Sequence, residues 1–100
     1  MSFWVYMLRC ADGSFYTGHT DDLDRRIGQH HCGEYAGYTR LRRPVTVVFV
    51  QDFESRDGAL AMELRIKGWT RRKKAALAAG DWAGLRRHAR GLNAHERRSK

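Results

Sequence analysis

The chain has little of what marks several protein classes. Proline occurs once, at Pro44, and there is no internal repeat or low-complexity segment, which excludes a repeat array or a proline-rich linker. No run approaches the roughly 18 to 20 consecutive apolar residues that a membrane span needs. The segment Met1-Ser2-Phe3-Trp4 also lacks the basic start of a signal peptide, so the expectation is a cytoplasmic protein without a membrane partner. Cysteine is scarce, with only Cys10 and Cys32. Together with His19, His30 and His31 they form neither a CxxC nor an HxxxH spacing, which favours free buried thiols in a reducing compartment over a zinc centre.

Acidic residues run out toward the end of the chain. Residues 1–69 hold nine Lys/Arg and nine Asp/Glu, whereas residues 70–100 hold ten basic groups against Asp81 and Glu96 alone. The whole net charge of +8 therefore lies in the last third. Such a one-sided excess suits a polyanion, bound by phosphate neutralisation and counterion release, and the competing reading is a solvated face. The 100 residues, 42% of them hydrophobic, suffice for one packed domain, read here as residues 1–92 with basic C-terminal helices, followed by a frayed tail over 93–100.

Phe3 to Arg9 is apolar on both alternating sets, as in a central strand covered on both faces. Ala11-Asp12-Gly13-Ser14 signals a hairpin turn into a second strand, Phe15 to His19. Thr20-Asp21-Asp22 supplies an N-cap and early acids for a helix with apolar points at Leu23 and Ile27, ending near Gly33. A basic, glycine-containing loop reaches Pro44, and the β-branched run from Val45 to Phe53 forms a third strand. Ser55 caps a helix to Lys67, Thr70 caps another to Gly80, and Trp82 to Gly91 makes a fourth. The order β-β-α-β-α-α-α predicts an α+β fold, a small sheet with helices on it.

Chemistry-bearing residues fall at three places. A two-residue loop, Asp12-Gly13, would pair Tyr6 with His19 and send Tyr16 to the opposite face; a three-residue loop ending at Gly13 would pair Tyr6 with Gly18 and put both tyrosines on one face. Residue types alone leave both loops open. Arg26 and His30, spaced i and i+4, project together beside the apolar stripe, where spacing alone reads them as a salt-bridge residue and a structural or solvent-facing histidine. Glu63 falls within the apolar arc of Ala59, Met62 and Ile66, where a carboxylate needs Lys67 or a divalent metal to neutralise it.

Taken together, Trp4-Val5-Tyr6, Tyr16-Thr17-Gly18, Arg26, His30 and Glu63 agree in type, order and spacing with one family. Over roughly residues 3–75 the chain resembles the GIY-YIG nuclease superfamily, and within it the short, single-domain bacterial branch of YhbQ-like proteins. It departs in having Trp4-Val5 before Tyr6, Gly37 where a lysine is usual in the loop Ala36-Gly37-Tyr38-Thr39, and no asparagine soon after Glu63.

The resemblance implies a three-stranded antiparallel sheet flanked by helices, and phosphodiester hydrolysis with one divalent ion, Mg²⁺ or Mn²⁺. It would make Tyr6 and Tyr16 the paired active-site tyrosines and Gly18 the residue that leaves room for substrate. Arg26 would clamp the phosphate, His30 would be an acid/base or orienting group, and Glu63 the metal ligand. Thr39, Arg40, Lys67, Arg71, Arg72, Lys73 and Lys74 complete the expected substrate-binding set. A free tyrosine is ionised about one part in a thousand at pH 7, so a phenolate base needs about 4 kcal/mol of help. The expected function is a metal-dependent endonuclease acting on DNA rather than RNA, in repair or in processing of branched or damaged DNA. The alternatives are a nucleic-acid-binding module of the same fold without catalysis and a protein-interaction adaptor; oligomeric state and protein partners are left open.

Overall fold

Five stretches of apolar or capped sequence become regular structure in the first 68 residues, and a sixth follows. In the computed structural model, which describes residues 2–80, these are β1 (Phe3–Arg9), β2 (Phe15–Thr20), α1 (Leu23–Cys32), β3 (Thr46–Phe53), α2 (Arg56–Lys67) and α3 (Arg71–Ala78). The expected helix over 82–91 and the tail over 93–100 lie outside the described residues. One compact unit spans Met1–Gly68, and a second begins at Trp69 and contains α3.

The sheet is antiparallel with the order β2-β1-β3. Central β1 buries Val5, Tyr6, Met7 and Leu8 completely, as its two apolar sets require. The hairpin adopts the three-residue loop. Gly13 has φ 86°, its N–H donates to the Cys10 carbonyl (2.9 Å), and the Cys10 N–H donates to the Ser14 carbonyl (2.8 Å). This register sets Tyr6 opposite Gly18 and Leu8 opposite Tyr16. On the other side of β1 the pairing shifts between Met7 and Leu8, a β-bulge against β3.

Helix caps follow the residue types. Asp22 caps α1 by accepting from the Arg25 N–H, and Gly33 closes it in the left-handed region at φ 80°. Ser55 caps α2 through the Gly58 N–H, and Thr70 caps α3 through the Lys73 N–H. Leu23 and Ile27 of α1 pack on the sheet face that carries Tyr6, Leu8, Tyr16 and Val47. Helix α2 packs on β1 and β2 and pairs with His19 through Glu63. Because His19 stands opposite Val5, α2 covers the Val5/Met7 face. The two helices thus bracket β2, the edge strand between them. Among the described residues no helix is long and apolar enough to cross a membrane.

Candidate active site

Parity of the hairpin loop builds the first part of the site. Tyr6 and Tyr16 share a face, with ring centroids 6.3 Å apart. The Tyr6 ring lies directly on the backbone of Gly18, where an added Cβ would stand 2.6 Å from the phenol oxygen and 2.8 Å from Cζ. Only glycine permits that approach. The Tyr6 hydroxyl is hydrogen bonded to Nε2 of His30 (2.8 Å), and Nδ1 of His30 to the Thr39 hydroxyl (2.7 Å). His30 is fully buried, with Tyr35 4.5 Å and Tyr16 5.2 Å from its ring. Burial, reinforced by the Arg26 charge, pushes the imidazole down to about 4, so it is neutral at pH 7. Burial also pushes Tyr6 up to about 12 against the pull of Arg26, and raises Tyr16 as well.

The second part lies over edge strand β2. An open cleft of about 370 Å³ is lined by Tyr16, Gly18, His19, Thr20, Asp21, Arg26, Tyr35, Arg56, Glu63 and Lys67. Arg26 enters it from α1 and Glu63 from α2, so the two sheet faces contribute opposite charges to one space. Nη1 of Arg26 donates to the His19 carbonyl (3.4 Å), and its guanidinium carbon sits 4.6 Å from the centre of the Tyr35 ring. Among the described residues Arg26 has no carboxylate within ion-pair distance. Partly desolvated on an aromatic face, and held by the His19 carbonyl and the Tyr6 phenol without a carboxylate partner, the guanidinium keeps donors for an anion.

Glu63 is buried, as its place in the apolar arc required. One carboxylate oxygen is bonded to Nδ1 of His19 and the other to the ammonium of Lys67, one turn on. Burial raises the carboxyl, but Lys67 and His19 outweigh it and hold Glu63 below the ordinary carboxylate range. A carboxylate oxygen donor held in its charged form and facing a cleft fits a hard cation held by one protein ligand, water and phosphate oxygens. Among the described residues no three His, Cys, Asp or Glu side chains surround a common point.

Several expectations are corrected. Arg26 is not a salt-bridge residue but stacks on Tyr35. Thr39, expected to bind substrate, is buried: the loop folds back on α1, and its hydroxyl is hydrogen bonded to His30. Tyr6, also fully buried, lies beneath the cleft rather than lining it. Lys73 places its ammonium 4.0 Å from the Trp69 ring centre instead of projecting freely like a phosphate-binding lysine. Cys10 is buried, but Cys32 is an exposed thiol at the end of α1. Arg40, Arg71 and Arg72 are exposed, Lys74 is half-buried, and Lys67 reaches the cleft. Sequence reasoning did not assign His19, Tyr35 or Arg56 to the site. For His19 a signal existed: strand parity sends it to the face opposite Tyr16, toward the helix that bears Glu63.

Comparisons with known proteins place the chain in a family. Residues 2–76 match the family described as the GIY-YIG catalytic domain. A UPF0213 protein of Haloquadratum walsbyi is 48% identical over 75 residues, which are 75% of this chain and 84% of that protein. A UPF0213 protein of Bacillus pumilus is 46% identical over 71% of this chain and 72% of its own length. The solution NMR structure of a UPF0213 protein from Bacillus halodurans superposes with a TM-score of 0.52 at 46% identity, covering 79% of this chain and 84% of that one. The relatives come from archaea as well as bacteria, so the branch is wider than the bacterial one expected. With three antiparallel strands, bracketing helices and the Tyr6–Gly18 register in place, the chain belongs to the GIY-YIG catalytic-domain family, in its short UPF0213 branch.

Proposed function

We propose that the cleft over β2 is the active site of a divalent-metal-dependent endonuclease that hydrolyses phosphodiester bonds of DNA. The observation that carries this reading is the meeting of Arg26 and Glu63, from different helices, beside Gly18 and Tyr16. A backbone phosphate entering the cleft meets the guanidinium of Arg26, which binds two of its oxygens and opposes the charge that grows in the transition state. The Tyr16 phenol at the cleft wall orients the attacking water. Tyr6 holds its position on Gly18 through His30. In the tautomer with a proton on Nδ1, the imidazole donates to Thr39 and accepts from Tyr6.

Neither phenol serves as an unaided base. With its pKa near 12, Tyr6 would cost about 7 kcal/mol to ionise at pH 7, more than the roughly 4 kcal/mol of a free tyrosine. The tyrosines therefore act as protonated hydrogen-bonding groups. Glu63 would hold Mg²⁺ or Mn²⁺, which when bound supplies further neutralisation of the phosphate oxygens. Branched or damaged DNA suits a small domain that opens its cleft at a sheet edge, and repair or processing of such DNA is the role proposed. Arg40, Lys67, Arg71, Arg72 and Lys74 would bind DNA phosphates.

One observation favours a second reading, a nucleic-acid-binding module without catalysis: both oxygens of Glu63 are already engaged by His19 and Lys67. Incubation with end-labelled duplex, single-stranded and branched DNA, and with RNA, in Mg²⁺ or Mn²⁺ separates the two. Cleavage of DNA that stops with EDTA is expected. Tight binding without cleavage under any metal would establish the binding module, and absence of binding would leave an adaptor.

A further inference from the structure

Position 19 puts an imidazole where a cleft carboxylate needs a companion. Nδ1 of His19 is in direct contact with one oxygen of Glu63, and both side chains line the same cleft. Two donors that bind one ion at about 2.1 Å and a right angle stand roughly 3 Å apart, so a nitrogen and an oxygen already in hydrogen-bond contact close on a cation with little movement. His19 is half-buried and fixed on an edge strand whose carbonyl at the same residue is engaged by Arg26, so little side-chain freedom is lost on binding. Glu63 is fixed on the helix facing it. The other cleft carboxylate, Asp21, is turned to Arg56 at 3.5 Å. Lys67 is the group that must leave, and its half-exposed side chain can do so without unpacking anything.

We infer that His19 and Glu63 form a two-ligand site, one imidazole nitrogen and one carboxylate oxygen, that selects Mn²⁺ over Mg²⁺. The inference rests on the proposed metal role of Glu63 and deepens it. Imidazole is a poor ligand for Mg²⁺, which takes oxygen and keeps its waters, but a good one for first-row transition ions. His19 binds as the neutral tautomer with its proton on Nε2, and Lys67, released from Glu63, becomes free to meet a phosphate.

The test is metal binding to the full chain without DNA. Mn²⁺ is titrated by the loss of the free-ion electron paramagnetic resonance signal, and Mg²⁺ by competition against it. His19→Ala is expected to weaken Mn²⁺ binding by at least about tenfold, the lower end of the loss seen even for outer-shell partners, and to leave Mg²⁺ nearly unchanged. Lys67→Met should strengthen both ions alike and leave their ratio intact. Pulsed resonance on Mn²⁺-loaded wild type should show nitrogen coupling from imidazole, which requires no variant to fold. Equal weakening of both ions in His19→Ala would make His19 a positioning residue for Glu63 and overturn the proposal. So would an absence of nitrogen coupling, or an unchanged Mn²⁺ affinity, while the metal-bound Glu63 reading stands. Wild type that binds neither ion would overturn both.

Discussion

A methyl group at position 18 has nowhere to go. Its Cβ would meet the phenol oxygen of Tyr6 at 2.6 Å, and Tyr6 is fully buried with its hydroxyl tied to His30, so the ring cannot swing aside. Gly18→Ala should therefore destabilise the fold by about 1–3 kcal/mol, the range of an overpacked core, as read from urea unfolding. An unchanged midpoint would mean the ring does not rest on the strand. His30 carries a second residue-scale prediction. Its folded pKa, near 4, lies below the unfolded value of 6.5, so the unfolded chain takes up the proton first as pH falls. The stabilisation is complete above about pH 6.5 and is lost between there and pH 4, amounting to about 3 kcal/mol. His30→Gln should flatten the stability profile in that window, and a profile as steep as wild type would assign the loss to other groups. Glu63 stood out because apolar spacing made it an exception on its helix, whereas Arg26 and His30 were singled out for chemistry only by the family resemblance. His19 and Tyr35 were missed: strand parity marked the face of His19 but not its partner 44 positions away, and Tyr35 sits in a loop without periodicity.

At the element scale, the β1–β2 turn decides which side chains share a face. Asp12-Gly13 suits a two-residue loop and equally the end of a three-residue one, so residue types alone left the register open. The fold takes the odd loop, with Gly13 at φ 86°, and so keeps Tyr6 and Tyr16 together. Gly13→Ala should destabilise by roughly 1 kcal/mol in thermal or urea unfolding, because a Cβ is disfavoured in the left-handed region. A neutral effect would show that the turn tolerates another conformation. Among the described residues, strands and helices were readable almost to their ends because caps and breakers stand where physics needs them: Asp22, Gly33, Ser55 and Thr70. The loop between α1 and β3 was not readable. Its basic, glycine-containing composition indicated only a loop, and it folds back so that the Glu34 and Tyr35 N–H groups donate to the Gln29 carbonyl and Thr39 is buried under His30.

At the scale of the whole molecule, charge and cleft answer different questions. The last third carries the net charge, including Arg71, Arg72, Lys73 and Lys74, and Arg86, Arg87 and Arg90 beyond the described residues. If this group neutralises about four to six phosphates, log affinity for duplex DNA should fall with log salt at a slope of about −3.5 to −5.5. Reversing the charges at 71–74 should flatten that slope, and an unchanged slope would make the patch a solvated surface. Affinity, however, is not chemistry. Whether Arg26 and Glu63 act on one phosphate in one cleft is decided by single-turnover cleavage of branched and duplex DNA by wild type, Arg26→Ala and Glu63→Gln. Each substitution should lower the cleavage rate by about a hundredfold or more, the cost of losing one group that opposes transition-state charge, with DNA still bound by Glu63→Gln. Cleavage at the wild-type rate in either variant, or no cleavage by wild type in Mg²⁺ or Mn²⁺, would contradict that joint action.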